Sequence, residues 1–277
     1  MVVDINNISI TFKMIEYPKD VIKPIITSPR SIFIYAPVKL GKTDICLSLT
    51  KMTDKALFLD LEDSCSIFEG RYISIKKLLS VWDKLKLLDE LLDDIIKNQQ
   101  YDYIIVDSLT ILEEWCESHA TVKYMKSTQG KKFNRLEDEK TLLPEKDWNS
   151  VLSIGEGYGY QHLRSSFNLY FEKIQKLAKH IILTGHVKDK LLEKKGELVT
   201  TTDIDLTGKL KFIVTRKIDA VGLLTADENK RYLTFQVNDN SGGAGSRFNY
   251  LNDKILISEK NDDVLTTYWE SIFPELK

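Results

Sequence analysis

Short uninterrupted apolar blocks alternate along this chain with longer stretches in which apolar residues return at helical intervals. Ser31 to Tyr35, bounded by Pro29 and Pro37, is one such block; Ala56 to Leu61, Tyr103 to Val106 and Ile181 to Thr184 are others. Blocks of this kind, rich in β-branched and aromatic residues, predict strands buried on both faces. Residues 8–12 predict a lead-in strand. A helix is expected from about Lys42. Between residues 76 and 97, Leu78, Val81, Trp82, Leu85, Leu88, Leu92 and Ile95 fall on one helical face, with charges opposite. Helical pattern also follows Val106 through about Cys116 and resumes from Gln161 to Ala178. Trp82 and Trp115 fit helix cores better than binding platforms. Residues 119–155 are polar and without a clean period, which predicts an insertion or mobile loop. Leu191 to Thr202 is read as a charged connection. Ala220 to Leu224 and Tyr232 to Val237 predict strands joined by a turn at 226–229, followed by a Gly-rich loop at 241–246 and a closing helix near 263–272.

Strands alternating with helices imply an α/β fold whose central sheet is mostly parallel, with helices on both faces and an antiparallel C-terminal extension. The expected organisation is a single domain over 1–277, with 1–29 as lead-in and 238–277 as extension. In such folds ligands sit at the carboxyl ends of the strands.

Composition narrows the classes. The chain has 277 residues and a formal net charge of -2, so no global basic field draws it to nucleic acid, and any such contact must use a local patch. Cys46, Cys65 and Cys116 are scattered and odd in number, against a disulfide framework or a zinc site. No apolar run is long enough to cross a bilayer and no signal pattern opens the chain, so a cytoplasmic location is expected.

The strand tips carry the chemistry. Ala36-Pro37-Val38-Lys39-Leu40-Gly41-Lys42-Thr43 follows a strand and opens a helix. Phosphates are bound by backbone N–H groups at such a helix start. Gly41 allows close approach, Lys42 can reach β- and γ-phosphates, and Thr43 offers a hydroxyl to Mg²⁺. Ala36 stands where the usual motif has Gly, adding one methyl at the loop's beginning. Asp107 ends a buried strand, where a carboxylate can hold Mg²⁺ or simply cap the next helix. Glu62 follows the strand read as lying beside the P-loop strand, and suits a base that aims water at the γ-phosphorus; Asp60 and Asp63 compete for that role. His186 ends a further strand, where a polar donor can touch the γ-phosphate or serve structure alone.

Weaker signals remain. Lys123, Lys126, Lys131, Lys132 and Arg135, interleaved with Tyr124 and Phe133, form a basic stretch suited to single-stranded nucleic acid or to plain solvation. Lys230, Arg231 and Arg247 are candidates for a cation supplied across a subunit interface.

Together these elements resemble the RecA superfamily, and within it the phage-encoded RecA-like P-loop ATPases associated with single-strand annealing and recombination. The resemblance is carried by Ile34 to Thr43, by Ala56 to Glu62, by Asp102 to Thr110, by Ile182 to Lys188 and by Asp205 to Leu210 with Ile218 to Gly222. It spans roughly residues 30–237. It implies ATP and Mg²⁺ as ligands, Glu62, Lys42 and His186 as catalytic residues, and single-stranded DNA with a single-strand-binding or annealing protein as partners. It leaves a homo-oligomer open without carrying over filament formation, since the N-terminal oligomerisation element of full-length RecA is not evident, and for a phage product it implies a host cytoplasm. The reading set beside it is a nucleotide-dependent switch or assembly protein that does not bind DNA.

Overall fold

The computed structural model describes residues 26–132, 148–154, 157–194, 197–236, 241–251, 254–262 and 264–277. Its parallel core consists of β1 (Ser31–Ala36), β2 (Ala56–Asp60), β3 (Tyr72–Ser74), β4 (Tyr103–Asp107), β5 (His180–Lys194) and β7 (Ala220–Asp227). An antiparallel extension adds β8 (Lys230–Thr234), β11 (Lys254–Asn261) and β12 (Val264–Thr267), giving the order β12-β11-β8-β7-β1-β5-β4-β2-β3. The expected α/β class, with its mostly parallel centre and antiparallel C-terminal flank, is what the chain adopts.

Strand alternation explains the layering, since successive side chains point to opposite faces. Phe33, Tyr35, Leu57, Leu59, Ile104, Val106, Ile181 and Leu183 pack on one face against α2 (Val81–Asn98), α3 (Leu109–Met125), α4 (Tyr158–Ile174) and α5 (Leu210–Lys217). Ile32, Ile34, Phe58, Ile105 and Ile182 face the other way, onto α1 (Lys42–Met52) and the C-terminal residues Trp269, Ile272 and Phe273. Both faces are covered, which is why the central strands read as unbroken apolar blocks. The helix α2 buries Leu85, Leu88, Leu92 and Ile95, and Ser80 caps it by accepting from the Asp83 N–H.

Register lines up the carboxyl ends. Ala36 pairs with His186, and Asp60 with Asp107. Four strand tips therefore open onto one edge of the sheet, where the candidate chemistry lies.

Several expectations need correction. The strand β2 is not beside the P-loop strand: β1 lies between β5 and β7, and β2 pairs with β4 and β3. The helix α3 continues to Met125, so 119–125 are not loop; Ala120, Tyr124 and Met125 pack with Val151 at a spacing the polar neighbours obscured. The supposed connection at 191–202 is a ribbon, β5 running on to Lys194 and pairing antiparallel with β6 (Glu197–Ile204). Its Val199-Thr200-Thr201-Thr202 run carries the β-branched signal that the charges masked. The closing helix is absent among the described residues; β12 and a 3-10 turn over Trp269–Ser271 stand there. Within 241–246, β9 (Ser241–Gly242) pairs with β6 and β10 (Gly245–Ser246) with β7. Trp115 is buried as expected, but Trp82 is 45% exposed, its ring edge-on to His119. The lead-in strand at 8–12, residues 133–147 with Phe133 and Arg135, and the end of the predicted strand at Val237 lie outside the described residues.

Phe58 is wholly buried in the central sheet. Phe58→Ala is expected to cost roughly 3–5 kcal/mol through lost transfer energy and a residual cavity. Urea unfolding checks this; a loss below about 1 kcal/mol would mean the site collapses freely around the smaller side chain.

Candidate functional site

The loop after β1 turns through two left-handed residues, Lys39 at φ 63° and Gly41 at φ 88°. Gly41 pays no penalty there, whereas Lys39 holds a conformation costly to a side chain. A Cβ at Gly41 would meet nothing within 4 Å, so backbone conformation alone calls for glycine there. Gly41 is also the N-cap of α1 and offers no side-chain cap, leaving the first amides of the helix for a ligand. Ala36 is buried at the end of β1, while Pro37, Val38 and Lys39 are exposed along the loop.

Lys42 is buried to 7% exposure, and its Nζ donates to the Gly185 carbonyl at 3.2 Å. A Cβ at Gly185 would meet the Phe33 ring at 2.6 Å, which explains glycine on that strand. The Thr43 hydroxyl donates to Asp107 Oδ2 at 2.7 Å, and the Thr184 hydroxyl donates to Asp107 Oδ1. Asp107 is fully buried. Burial pushes its carboxyl above the usual range, against the pull of the Lys42 ammonium and with a further push from Glu62. A hydroxyl beside a buried carboxylate short of positive charge is a hard oxygen donor set that fits Mg²⁺. Among the described residues no group of three or more His, Cys, Asp or Glu could hold a metal, so a metal here would need oxygens from its ligand as well. That is the habit of Mg²⁺ at phosphates.

Glu62 reaches this centre despite its strand. Three inter-strand steps of about 4.8 Å put β2 roughly 14 Å from β1. The turn after β2 closes the gap. Asp60 is fully buried, and its carboxylate accepts from the N–H groups of Glu62 at 3.1 Å, Ser64 at 2.8 Å and Cys65 at 2.9 Å, and from the Ser74 hydroxyl at 2.7 Å. Asp60 thus shapes the turn. Asp63 faces away, paired with Lys76 at 2.9 Å. Glu62 is the acid that turns inward: the Ser108 hydroxyl donates to its Oε1 at 2.6 Å, and His186 Nε2 lies 3.0 Å from the same oxygen. Burial raises the Glu62 carboxyl, but the hydrogen bonds from His186 and Ser108 and the charge of Lys42 outweigh it and hold the group at about 2. His186 is fixed by its main chain, its N–H donating to the Thr110 hydroxyl at 3.0 Å.

Lys42, Thr43, Asp107, Glu62 and His186 are therefore brought together. Ser108, Thr110 and Thr184 join them without having been assigned a role from sequence; hydroxyls next to strand-tip acids were the available signal. Other candidates are placed elsewhere. Tyr124 is 5% exposed, edge-on to His162, and is no base-stacking platform. Lys123, Lys126, Lys131 and Lys132 are exposed at and beyond the end of α3. Arg247 pairs with Asp219 at 2.8 Å, and Asp219 N–H donates to the Ser31 carbonyl, at the amino end of β1 and away from the P-loop. Arg231, one of the candidates for a cation across a subunit interface, donates from Nε to the Leu40 carbonyl of its own chain at 3.1 Å. Lys230 begins the same strand.

A family model described as AAA domain matches residues 28–248. No curated protein matches. Among solved structures, an ATPase from the type III secretion system of pathogenic bacteria is 11% identical, covers 74% of this chain and 60% of its own, and superposes with a TM-score of 0.43. The RadB recombinase is 10% identical, with 87% and 92% of the two chains covered and a TM-score of 0.43. This chain thus spans less than two thirds of the secretion ATPase. No helix of the described residues is long and apolar enough to cross a membrane.

The depressed Glu62 carboxyl has a stability signature. Its folded value, about 2, lies below the ordinary value of roughly 4.3, so its contribution is full above that ordinary value and fades as pH falls toward 2. The stability gap between wild type and Glu62→Gln is expected to be about 2–3 kcal/mol near pH 6 and to shrink steadily below pH ~4. Thermal unfolding across pH reads it; a gap that widens on acidification would contradict this electrostatic account.

Proposed function

The chain belongs to the AAA domain family, and on that footing we propose that it is a RecA-like ATPase that hydrolyses Mg²⁺-bound ATP and acts in DNA recombination, repair or replication. The convergence of Lys42, Thr43, Asp107, Glu62 and His186 at one end of the sheet is what supports the hydrolytic reading. The loop from Ala36 to Thr43 holds the polyphosphate with its amides, and Lys42 leaves the Gly185 carbonyl to meet the β- and γ-oxygens. Thr43 and Asp107 would hold Mg²⁺, which supplies charge neutralisation at the phosphates when bound. Glu62, ionised throughout the neutral range, accepts a hydrogen bond from the attacking water and aims it in line. His186, touching Glu62, is placed to register whether a γ-phosphate is present.

The nucleic-acid part rests on the exposed lysines at 123, 126, 131 and 132, with Arg135 outside the described residues. A single-strand-binding or annealing protein is the partner that this reading expects. The alternative, a nucleotide-dependent switch or assembly protein without DNA, draws support from the burial of Tyr124 and from the near-neutral net charge of -2.

Lys42→Ala is expected to abolish ATP turnover, and Glu62→Gln to keep nucleotide binding while lowering kcat at least about 100-fold, in the range of a lost general base. Steady-state hydrolysis and equilibrium nucleotide binding, each with and without Mg²⁺, read both; an unchanged rate in either variant removes the mechanism. Single-stranded oligonucleotide should bind in an ATP-dependent, salt-sensitive way and stimulate hydrolysis. Absence of binding at low salt, with nucleotide-driven oligomerisation indifferent to DNA, decides for the alternative.

A further inference from the structure

Arg231 sits on β8, in the antiparallel extension, yet one of its contacts reaches the P-loop while two others hold its guanidinium on its own β7–β8 turn. Its Nε donates to the Leu40 carbonyl at 3.1 Å, and its Nη1 donates to the carbonyls of Glu228 and Lys230, each at 3.0 Å. Leu40 lies between the two left-handed residues of the loop, Lys39 and Gly41. A phosphate-binding loop must point its amides inward, so its carbonyls need partners outside. The guanidinium, with a fixed fork of donors, supplies one.

The rest of the extension grips the same unit from the other side. The β7–β8 turn is tied to β11, with Lys260 N–H donating to the Asn229 carbonyl at 2.9 Å and Asn229 Nδ2 donating to Asn261 Oδ1 at 2.6 Å. At the end of β12 the Ser48 hydroxyl donates to Thr267 Oγ1 at 2.9 Å, and just beyond it the fully buried Trp269 donates its indole N–H to the Ile45 carbonyl at 3.1 Å. The phosphate loop and the first turns of α1 are thus held at both ends by residues 228–269.

We propose that Arg231 is a positioning residue acting in cis: it holds the Leu40 carbonyl outward and so keeps the P-loop in its anion-binding shape before nucleotide arrives. Pre-organisation of this kind raises affinity by removing an ordering cost. It leaves the chemical step to Lys42, Asp107 and Glu62. The proposal rests on the reading of the P-loop as the triphosphate site, and it differs from a cation delivered across a subunit interface, which would act on the transition state.

The test compares wild type, Arg231→Ala and Arg231→Lys by equilibrium binding of a fluorescent ATP analogue with Mg²⁺, by steady-state ATPase assay and by thermal unfolding. Arg231→Ala is expected to raise Kd and KM about tenfold, with kcat within about twofold; Arg231→Lys, able to keep one donor on Leu40, should fall between. Mixing Arg231→Ala with Lys42→Ala should give no more activity than the two measured apart. A collapse of kcat at unchanged affinity, or activity regained on mixing, overturns the cis role in favour of a trans-acting cation. If the alanine variant does not fold, Arg231→Lys and Arg231→Gln carry the same comparison, and equal affinity in all soluble variants also overturns it. Wild-type protein that binds no nucleotide would instead sink the site assignment itself.

Discussion

A carboxylate shut away from water governs this molecule. Asp107 ends the strand β4 with no exposed surface, and it is kept there by hydroxyls from Thr43 and Thr184 and by the nearby ammonium of Lys42. Burying a charge is expensive unless it is paired and hydrogen-bonded. The arrangement meets that condition only because β1, β4 and β5 end in register, placing Thr43, Asp107 and Thr184 within one another's reach. The raised Asp107 carboxyl signals that compensation is incomplete in the chain alone. On the proposed reading a divalent cation would complete it, and the stability of the fold and the affinity for a metal–phosphate ligand would then draw on one electrostatic source.

The second acid is delivered by a different device. Glu62 starts from a strand too far from β1 for direct contact, and the turn built on buried Asp60 carries it back across the tip of β4. Ser108 and His186 then hold it from two directions. Two carboxylates thus sit near one ammonium with opposite environments, Asp107 raised by burial and Glu62 lowered by hydrogen bonds. Environments that push neighbouring acids apart are a frequent mark of divided chemical roles.

Much of this was legible from the chain. The four apolar blocks of the parallel centre are strands because both faces are covered, and a doubly covered strand leaves an unambiguous apolar run. The P-loop followed from local spacing, as did the acids at the strand tips. Strand order is not legible: which strand neighbours β1 is decided by packing of distant segments, and so β2 stands three strands from β1 rather than beside it. The ribbon at β5–β6 and the strand β12 are hidden because β-branched residues there lie among charges, and a half-exposed strand such as β12 shows weaker periodicity than a buried one. Tyr124 looked available in a polar stretch, whereas its contacts with Val151 and His162 are long-range facts. The position of Arg231 on its own P-loop, across 191 residues of sequence, belongs to the same class.

The central claim is spatial: a polyphosphate and a divalent ion share the pocket made by Lys42, Thr43, Asp107 and Glu62. A crystal structure with Mn²⁺ and a non-hydrolysable ATP analogue tests it directly, because the anomalous signal of manganese locates the ion independently of the protein. The account predicts a manganese peak within direct bonding distance of Thr43 Oγ1, about 2 Å, linked to Asp107 directly or through water, with the γ-phosphate beside Lys42 Nζ. A nucleotide bound with its phosphates away from the loop Ala36 to Thr43, or a manganese ion remote from Thr43 and Asp107, would contradict it.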